Sequence, residues 1–193
     1  MLKKFLVIFF LLFFTVPARA NFEEFVKSIE NIRSAVVKFR QITKIPVAGD
    51  EVSLYEGVIY YKKPLKFRWQ YIEGSEIYII SNGKFVETVF PDDGDCQLFR
   101  LTKESDLFPL ISLFENPEVF RKYYKVIAKG DVAVAEPKFK GSFFKRIVFY
   151  FNGKKLLKIK VVQEDGTEET YLITAFKKNI PLKDNLFKLK RCS

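Results

Sequence analysis

The sequence predicts a mainly β protein of the α+β class, in which helices cover one strongly curved antiparallel sheet. Three features lead to this prediction: short aromatic and β-branched runs between turn residues, an amphipathic segment near the N-terminus, and an apolar segment in mid-chain. Runs of this kind, bounded by Gly, Pro, Asn and Asp, are typical of sequential antiparallel strands. We expect about ten or eleven strands, and a sheet of that size tends to curl. The helices should then cover its concave face.

The strand pattern is clearest between residues 55 and 91. Four runs rich in Tyr, Ile, Val and Phe are separated there by Lys63-Pro64, Glu73-Gly74-Ser75 and Asn82-Gly83. Within 65–71 apolar and polar residues alternate, and alternate side chains of a strand share one face. The apolar face of this strand consists of Leu65, Phe67, Trp69 and Tyr71. A later strand is expected to direct a second set to one face: Lys145, Ile147, Phe149 and Phe151.

Two helical regions are predicted. Apolar residues recur every three or four positions from Phe22 to Val36, which predicts an amphipathic helix of about four turns beginning near Asn21. In mid-chain, a segment after Ser105-Asp106 is apolar almost throughout, up to the break at Glu115-Asn116-Pro117. A helix that is apolar on nearly all sides is either deeply buried or faces apolar surroundings on both sides.

The C-terminal half returns to strands. After a second short helix at Pro117–Tyr123, turn residues separate five further runs that are typical of strands. A last short strand is expected near Leu186–Leu189.

Residues 1–20 have the features of a cleaved secretory signal peptide. Lys3-Lys4 precede an apolar run from Phe5 to Val16, and Ala18-Arg19-Ala20 forms an A-x-A cleavage site. The run is short for a bilayer span, which favours cleavage over an uncleaved anchor. We therefore predict an exported protein with a single domain, residues 21–193.

Export changes how the net charge is interpreted. The charge of +10 includes Lys3, Lys4 and Arg19, so a cleaved chain retains +7. Outside the cytoplasm an anionic membrane surface or an acidic protein suits such a charge better than nucleic acid. An ordinary solvated, lysine-rich surface explains it equally well. Export also permits a disulfide between Cys96 and Cys192, although the sequence does not show whether the two pair.

The sequence does not suggest an enzyme or a cofactor site. It contains no histidine, which is the commonest general base and metal ligand. Asp92-Asp93-Gly94-Asp95 lacks the spacing of a calcium loop, so a solvated turn is the better interpretation. Phosphate-binding and nucleophile motifs are absent from the sequence. We expect a binding protein without a metal or cofactor.

Aromatic residues are the unusual resource of this chain. Seventeen of its 22 phenylalanines follow residue 20. Large rigid rings either fill a β-sheet core or line a cavity, and the pattern of residues leaves both interpretations open.

Several motifs together resemble the periplasmic outer-membrane lipoprotein carrier (LolA) family. The most specific is Gly57 followed by Lys63-Pro64-Leu65-Lys66-Phe67-Arg68-Trp69, which is similar to the family's G…R-P-x-x-F-x-W. Ser81-Asn82-Gly83-Lys84 is similar to the family's S-D-G-K, and Phe39-x-Gln41 follows the first helix. The resemblance covers nearly all of the chain after the signal segment, to about Phe187.

The resemblance implies a fold and a function. The fold is an incomplete, half-open β-barrel with a helical lid over a hydrophobic cavity that shelters the acyl chains of lipoproteins. The function is that of a monomeric periplasmic carrier, which loads at an inner-membrane ABC transporter and delivers to an outer-membrane receptor or membrane surface. An envelope lipid-binding or stress-sensing protein of the same fold is the alternative.

The resemblance also assigns residues to roles. The cavity residues are Leu65, Phe67, Trp69, Tyr71, Ile147 and Phe149. The lid residues are Leu107, Phe108, Leu110, Ile111, Leu113 and Phe114. In the family an arginine before the proline joins barrel and lid by hydrogen bonds. Lys63 occupies that position here and lacks the planar fork of arginine.

Overall fold

The computed structural model describes residues 21–46, 49, 51–101, 109–190 and 192. The helices of these residues are α1 (Asn21–Ile29), α2 (Pro109–Glu115), α3 (Pro117–Tyr123) and a 3-10 helix (Asp184–Phe187). The strands are β1 (Ser34–Ile45), β2 (Glu51–Lys62), β3 (Lys66–Glu73), β4 (Tyr78–Asn82), β5 (Phe85–Phe90), β6 (Asp95–Arg100), β7 (Tyr124–Lys129), β8 (Val132–Pro137), β9 (Phe144–Asn152), β10 (Lys155–Gln163) and β11 (Glu168–Lys178).

The strands that the structure describes form one antiparallel, eleven-stranded sheet in the order β6-β5-β4-β3-β2-β1-β11-β10-β9-β8-β7. Each half is a simple meander, and the halves meet where β1 pairs with β11. β6 and β7 are the two ends of the sheet, so the barrel is open rather than closed. The predicted fold class and strand number are confirmed.

The sheet is strongly curved. One cavity is lined by residues from nine of the described strands, including Phe99 on the terminal strand β6 and Ile147 on β9 near the opposite end. A flat sheet could not bring these two strands to the same cavity. The apolar residues of the inner face therefore surround a common space.

Helix α1 covers the part of the inner face formed by β9 and β11. The Phe22 ring lies 5.8 Å from the Phe149 ring, and the Phe25 ring lies 5.5 Å from Phe151. Phe25 also contacts Phe176 on β11, with ring centroids 6.1 Å apart. This part of the concave face is filled by the protein's own side chains.

The predicted length of the first helix is wrong. The helix ends at Ile29, whereas the apolar spacing continues through Ile32 to Val36. The side chain of Asn179 accepts a hydrogen bond from Arg33 N at 2.8 Å, and Asn179 N donates to Ser34 O at 2.7 Å. These bonds hold a turn that leads into β1, so Ile32 is buried without being helical.

Two other local predictions are wrong. The segment near Leu186 is a 3-10 helix rather than a strand, because Asp184 pairs with Lys62 and Lys66 while Phe187 is buried. On β9, Lys145 does not share a face with Ile147. A register shift between Val162 and Gln163 of the neighbouring strand leaves Lys145 exposed and buries the preceding Phe144.

Lys190 and Cys192 are attached to β5 and β6. Cys96 on β6 and Cys192 form a disulfide, with Cα atoms 6.0 Å apart and a sequence separation of 96. Nearby, the buried carboxylate of Glu87 accepts hydrogen bonds from the backbone N–H groups of Lys190 and Cys192. The disulfide, which the sequence alone did not decide, is present in the structure.

Gly57 makes room for a ring in the middle of the sheet. It lies on β2, opposite Phe39 of β1 and Tyr71 of β3. A Cβ atom at this position would lie 2.3 Å from Cζ of Phe39 and 3.0 Å from the carbonyl oxygen of Gln70. The Phe39 ring therefore crosses β2 above Gly57 and reaches Trp69 on β3, at a centroid distance of 5.0 Å.

We expect Gly57→Ala to lower the free energy of unfolding by about 1–3 kcal/mol, the usual effect of overpacking. The loss should be smaller in a Phe39→Leu background, because leucine does not extend across β2. Urea unfolding of the four proteins in this mutant cycle measures the coupling. An equal loss in both backgrounds would contradict the proposed clash with Phe39.

Candidate functional site

The sheet and α2 line a partly open apolar cavity of about 340 Å³. This volume is within the range of small-molecule sites, about 300–1,000 Å³. The described residues that line it are Phe39, Ile59, Trp69, Tyr71, Ile79, Thr88, Gln97, Phe99, Ile111, Phe143, Phe144, Ile147, Phe149, Ile159, Val161, Gln163, Glu169, Tyr171 and Ile173. Most are aliphatic or aromatic, so the cavity suits a hydrocarbon ligand.

Aromatic rings form one wall of the cavity. Phe39, Trp69 and Tyr171 contact one another in tilted and edge-to-face arrangements, with centroids 5.0–5.5 Å apart. These are favourable geometries for aromatic pairs. The rings belong to β1, β3 and β11, and Gly57 on the intervening β2 permits their approach.

Another part of the lining is polar. The Tyr171 hydroxyl donates to the Glu169 carboxylate at 2.7 Å, and the Tyr71 hydroxyl donates to Oε1 of Gln41 at 2.8 Å. Burial raises the pKa of Tyr71 to about 12, so both its proton and its hydrogen bond persist at neutral pH. Burial also raises the pKa of Glu169, against the lowering effect of the Tyr171 hydrogen bond and with a smaller raising effect from Asp165.

Helix α2 lies over the cavity and packs on the sheet. Ile111 lines the cavity, while Leu113 and Phe114 are buried. The Phe114 ring stacks on Phe176 at 5.5 Å and contacts Tyr61 at 5.4 Å. Asn116 then caps α3 by accepting from the N–H groups of Glu118 and Val119.

The last residue of α2 is hydrogen-bonded to the sheet. Oε2 of Glu115 accepts from the Tyr61 hydroxyl at 2.7 Å and from the backbone N–H of Leu65 at 2.9 Å. Burial raises the pKa of Tyr61, and the neighbouring Glu115 raises it further, so this hydroxyl stays protonated and keeps donating. We call this pair of bonds the Glu115 link.

Four of the six residues assigned to the cavity line it: Trp69, Tyr71, Ile147 and Phe149. Phe67 is not among the lining residues. It is fully buried beside Tyr61, in the part of the sheet that α2 covers. Leu65 precedes β3 with a φ of 52°, so it does not continue the alternation of the strand. The role of these residues in binding cargo stays a prediction.

The residues assigned to the lid fall into two groups. Ile111, Leu113 and Phe114 lie on α2 and are buried as described above. Leu107, Phe108 and the side chain of Leu110 lie outside the described part of the chain. Whether α2 opens as a lid stays a prediction.

Lys63 lies close to the Glu115 link without forming it. Its backbone N–H donates to Arg33 O at 2.9 Å, and no hydrogen bond joins its side chain to the residues described for α2. The contact between sheet and helix is made instead by Tyr61 and Leu65, on either side of Lys63, with the helix supplying the acceptor.

Sequence reasoning missed several lining residues, among them Ile59, Glu169 and Tyr171. The alternation of β11 contained the signal for Tyr171 and Ile173, since residues two apart share a face. The Glu115 link had no local signal, because its partners are 54 and 50 residues away.

The model of the family described as outer membrane lipoprotein carrier protein LolA matches residues 30–190. The chain belongs to the LolA family. Two similar curated proteins are outer-membrane lipoprotein carrier proteins. That of Nitrosospira multiformis is 24% identical over 192 residues, covering 96% of this chain and 92% of the relative. That of Aliivibrio fischeri strain ES114 is 28% identical over 188 residues, covering 95% and 92%.

A solved structure shares the fold of this LolA family member. An uncharacterized conserved protein from Thermus thermophilus superposes with a TM-score of 0.50 at 10% identity, covering 88% of this chain and 94% of the other. A LolA superfamily protein from Nitrosomonas europaea gives a TM-score of 0.48 at 13% identity, covering 89% and 99%.

The described residues offer neither a metal centre nor a membrane span. No group of three or more Cys, Asp or Glu side chains among them is arranged to hold a metal ion. None of the helices in this part of the chain has the length and hydropathy needed to cross a bilayer.

We expect Glu115→Ala to destabilise the attachment of α2, because hydrogen bonds to a charged acceptor contribute about 1.5–3 kcal/mol each. Amide hydrogen exchange across α2 should accelerate, and Tyr61→Phe, which removes one of the two bonds, should have a smaller effect. Exchange in β9 and β10 is the internal control. Unchanged exchange in α2 would show that the Glu115 link does not hold the helix.

The raised pKa of Glu169 predicts a pH effect on stability. The folded state holds this proton to a higher pH than the unfolded chain, so stability falls as the pH rises above about 4.5 and through the raised folded-state pKa. Glu169→Gln should remove that fall and raise the free energy of unfolding at neutral pH. Urea unfolding across this pH range measures both. If the free energy of unfolding changes with pH in the same way in both proteins, Glu169 is not the cause of the fall.

Proposed function

We propose that this protein is a periplasmic carrier that shelters the acyl chains of lipoproteins in the cavity beneath α2 during transfer from the inner to the outer membrane. The apolar cavity at the centre of the curved sheet is the observation that carries the proposal. Membership of the LolA family and the names of the relatives support it.

The energetics of acyl chains make such a cover necessary. Each CH₂ group removed from water contributes about 0.8 kcal/mol, so two or three exposed acyl chains cost tens of kcal/mol. A lipoprotein therefore needs an apolar enclosure to cross an aqueous compartment. The aromatic and aliphatic lining of the cavity provides a surface of this kind.

The size of the cavity supports a loading step in which α2 moves. A water molecule occupies about 30 Å³ in the liquid, and a methylene group is of similar size. A cavity of about 340 Å³ consequently holds roughly a dozen such groups, less than one long acyl chain. Displacement of Ile111 and Phe114 with α2 enlarges the space and exposes further apolar surface to cargo. Loading is then a shift from a closed to an open population.

In the proposed mechanism, the arrangement of α2 described above is the closed state. Phe114 stacks on Phe176, and Glu115 accepts from Tyr61 and Leu65. Opening breaks these contacts, and acyl chains replace the apolar part of them.

Adjacent residues on β6 allow a matched test of the cavity. Phe99 lines the cavity, whereas Leu98 is exposed and does not line it. β6 is an end strand, so both substitutions should leave the fold intact. We expect Phe99→Gln to weaken binding of a fluorescent palmitate analogue about tenfold, because it buries an amide against the ligand. Leu98→Gln should bind as the unchanged protein does.

The same pair tests the nature of the cargo in cells. Purified protein is analysed by mass spectrometry for molecules that elute with it, with circular dichroism as the control for folding. The carrier function predicts acylated proteins on the unchanged protein and on Leu98→Gln, and fewer on Phe99→Gln. Free lipid without acylated protein would instead support the lipid-binding or stress-sensing alternative. Equal loading of all three proteins would place the ligand outside this cavity.

A further inference from the structure

The positive charge of the chain is concentrated in one flank of the sheet. Residues 124–163, which contain β7 to β10, include ten Lys or Arg residues and two acidic residues, Asp131 and Glu136. Residues 124–163 therefore carry a net charge of +8, and the whole chain after residue 20 carries +7. The remainder of the chain after residue 20 is consequently close to neutral. Among the residues that the structure describes, Lys160 is the one basic residue of 124–163 that forms an ion pair, with Glu168 at 2.8 Å. The charge of the other basic groups in this segment is therefore available to attract an anionic partner.

Exposed rings and cations meet in the connection between β8 and β9. We define the basic loop as residues 138–146, which contain four basic residues and no acid. All four basic residues are exposed. Phe139 is 37% exposed and Phe143 is 58% exposed. Exposed phenylalanines among lysines are typical of surfaces that bind lipid headgroups and insert rings below them.

Hydrogen bonds on both sides of the basic loop hold the backbone that carries these rings. Ser142 is buried and its Oγ accepts from Phe144 N, while Glu164 N donates to Phe143 O at 3.3 Å. At the other side, Lys138 N donates to Tyr123 O at 2.9 Å, and the Phe139 ring contacts Tyr123 edge-on. Gly141 supplies the positive φ, 81°, that the turn requires.

The basic loop is part of the rim of the cavity. Phe143 is exposed and also lines the cavity, and the adjoining Phe144 and Ile147 continue the lining on β9. A surface that binds the loop therefore lies next to the opening that cargo would use. The acidic residues of the neighbouring turn, Glu164 and Asp165, oppose an anionic surface but are outnumbered by the four cations.

We infer that the basic loop docks the protein onto a bilayer that displays anionic phospholipid headgroups, with Phe139 and Phe143 inserted below the phosphates and the cavity rim against the membrane. A membrane suits the loop better than an acidic protein, because the lysines surround exposed rings rather than a groove or an unpaired strand. The docking itself does not depend on cargo, although its purpose rests on the proposed carrier function.

Vesicle sedimentation tests the docking. The purified protein should bind vesicles of phosphatidylcholine with added phosphatidylglycerol, release at high salt, and leave pure phosphatidylcholine unbound. Lys140→Gln with Lys145→Gln should weaken binding about fivefold for each lysine. Phe139→Ser should weaken it several-fold at unchanged charge, because less apolar surface enters the bilayer. Glu164→Gln should strengthen it.

Lys154→Gln with Lys155→Gln is the matched control, since these exposed lysines lie beyond the opposite end of β9. The control should bind vesicles as the unchanged protein does. An equal loss in the control would show diffuse electrostatic attraction and overturn docking by the loop. No binding of the unchanged protein to anionic vesicles would also overturn it, and would favour an acidic protein partner or a solvated surface.

Docking and cargo binding can fail separately. Phe139, Lys140 and Lys145 do not line the cavity, so their variants should bind the palmitate analogue in solution normally. Vesicle binding without palmitate binding would retain the docking surface and reject the carrier function. Palmitate binding without vesicle binding would retain the carrier function and reject the docking surface.

Discussion

Covering the inner face of the curved sheet is the constraint on which the other features of this molecule depend. Curvature turns the inward side chains of nine strands toward one space, and that space is too apolar to be left to water. Helix α1 fills the part against β9 and β11 with Phe22 and Phe25. Helix α2 covers the remainder without filling it, which leaves the cavity.

The two covers differ in how they are attached. The described rings of α1 interlock with those of β9 and β11, so α1 behaves as part of the core. α2 carries only seven residues and ends in a polar contact, the Glu115 link to Tyr61 and Leu65. α2 also has buried apolar contacts, through Leu113 and the stack of Phe114 on Phe176. Because α2 borders the cavity through Ile111 and α1 does not line it, α2 is the cover that the proposed loading would displace.

Local periodicity predicted the strands and the inward residues well, because alternation in a half-buried strand follows from the geometry of the backbone. Trp69, Tyr71, Ile147 and Phe149 were found in this way and from the family resemblance. Prediction failed where tertiary contacts override the period. Ile32 continues the helical spacing but is buried in a turn, and Leu65 leaves the strand alternation at a left-handed φ. The sequence showed which face was apolar, but whether that face enclosed space depended on curvature and on α2.

A carrier must bind its cargo and also release it, and the contrast between the two covers addresses both needs. A cavity sealed as firmly as the α1 region would hold its own rings too well for cargo to displace them. A cavity left open would expose Phe39, Trp69 and Tyr171 to water and to aggregation. Under the proposed function, cargo would have to replace the apolar contacts of α2, including the Phe114 stack, and would break the Glu115 link. The small difference between these two states, rather than the strength of either, would then set the direction of transfer.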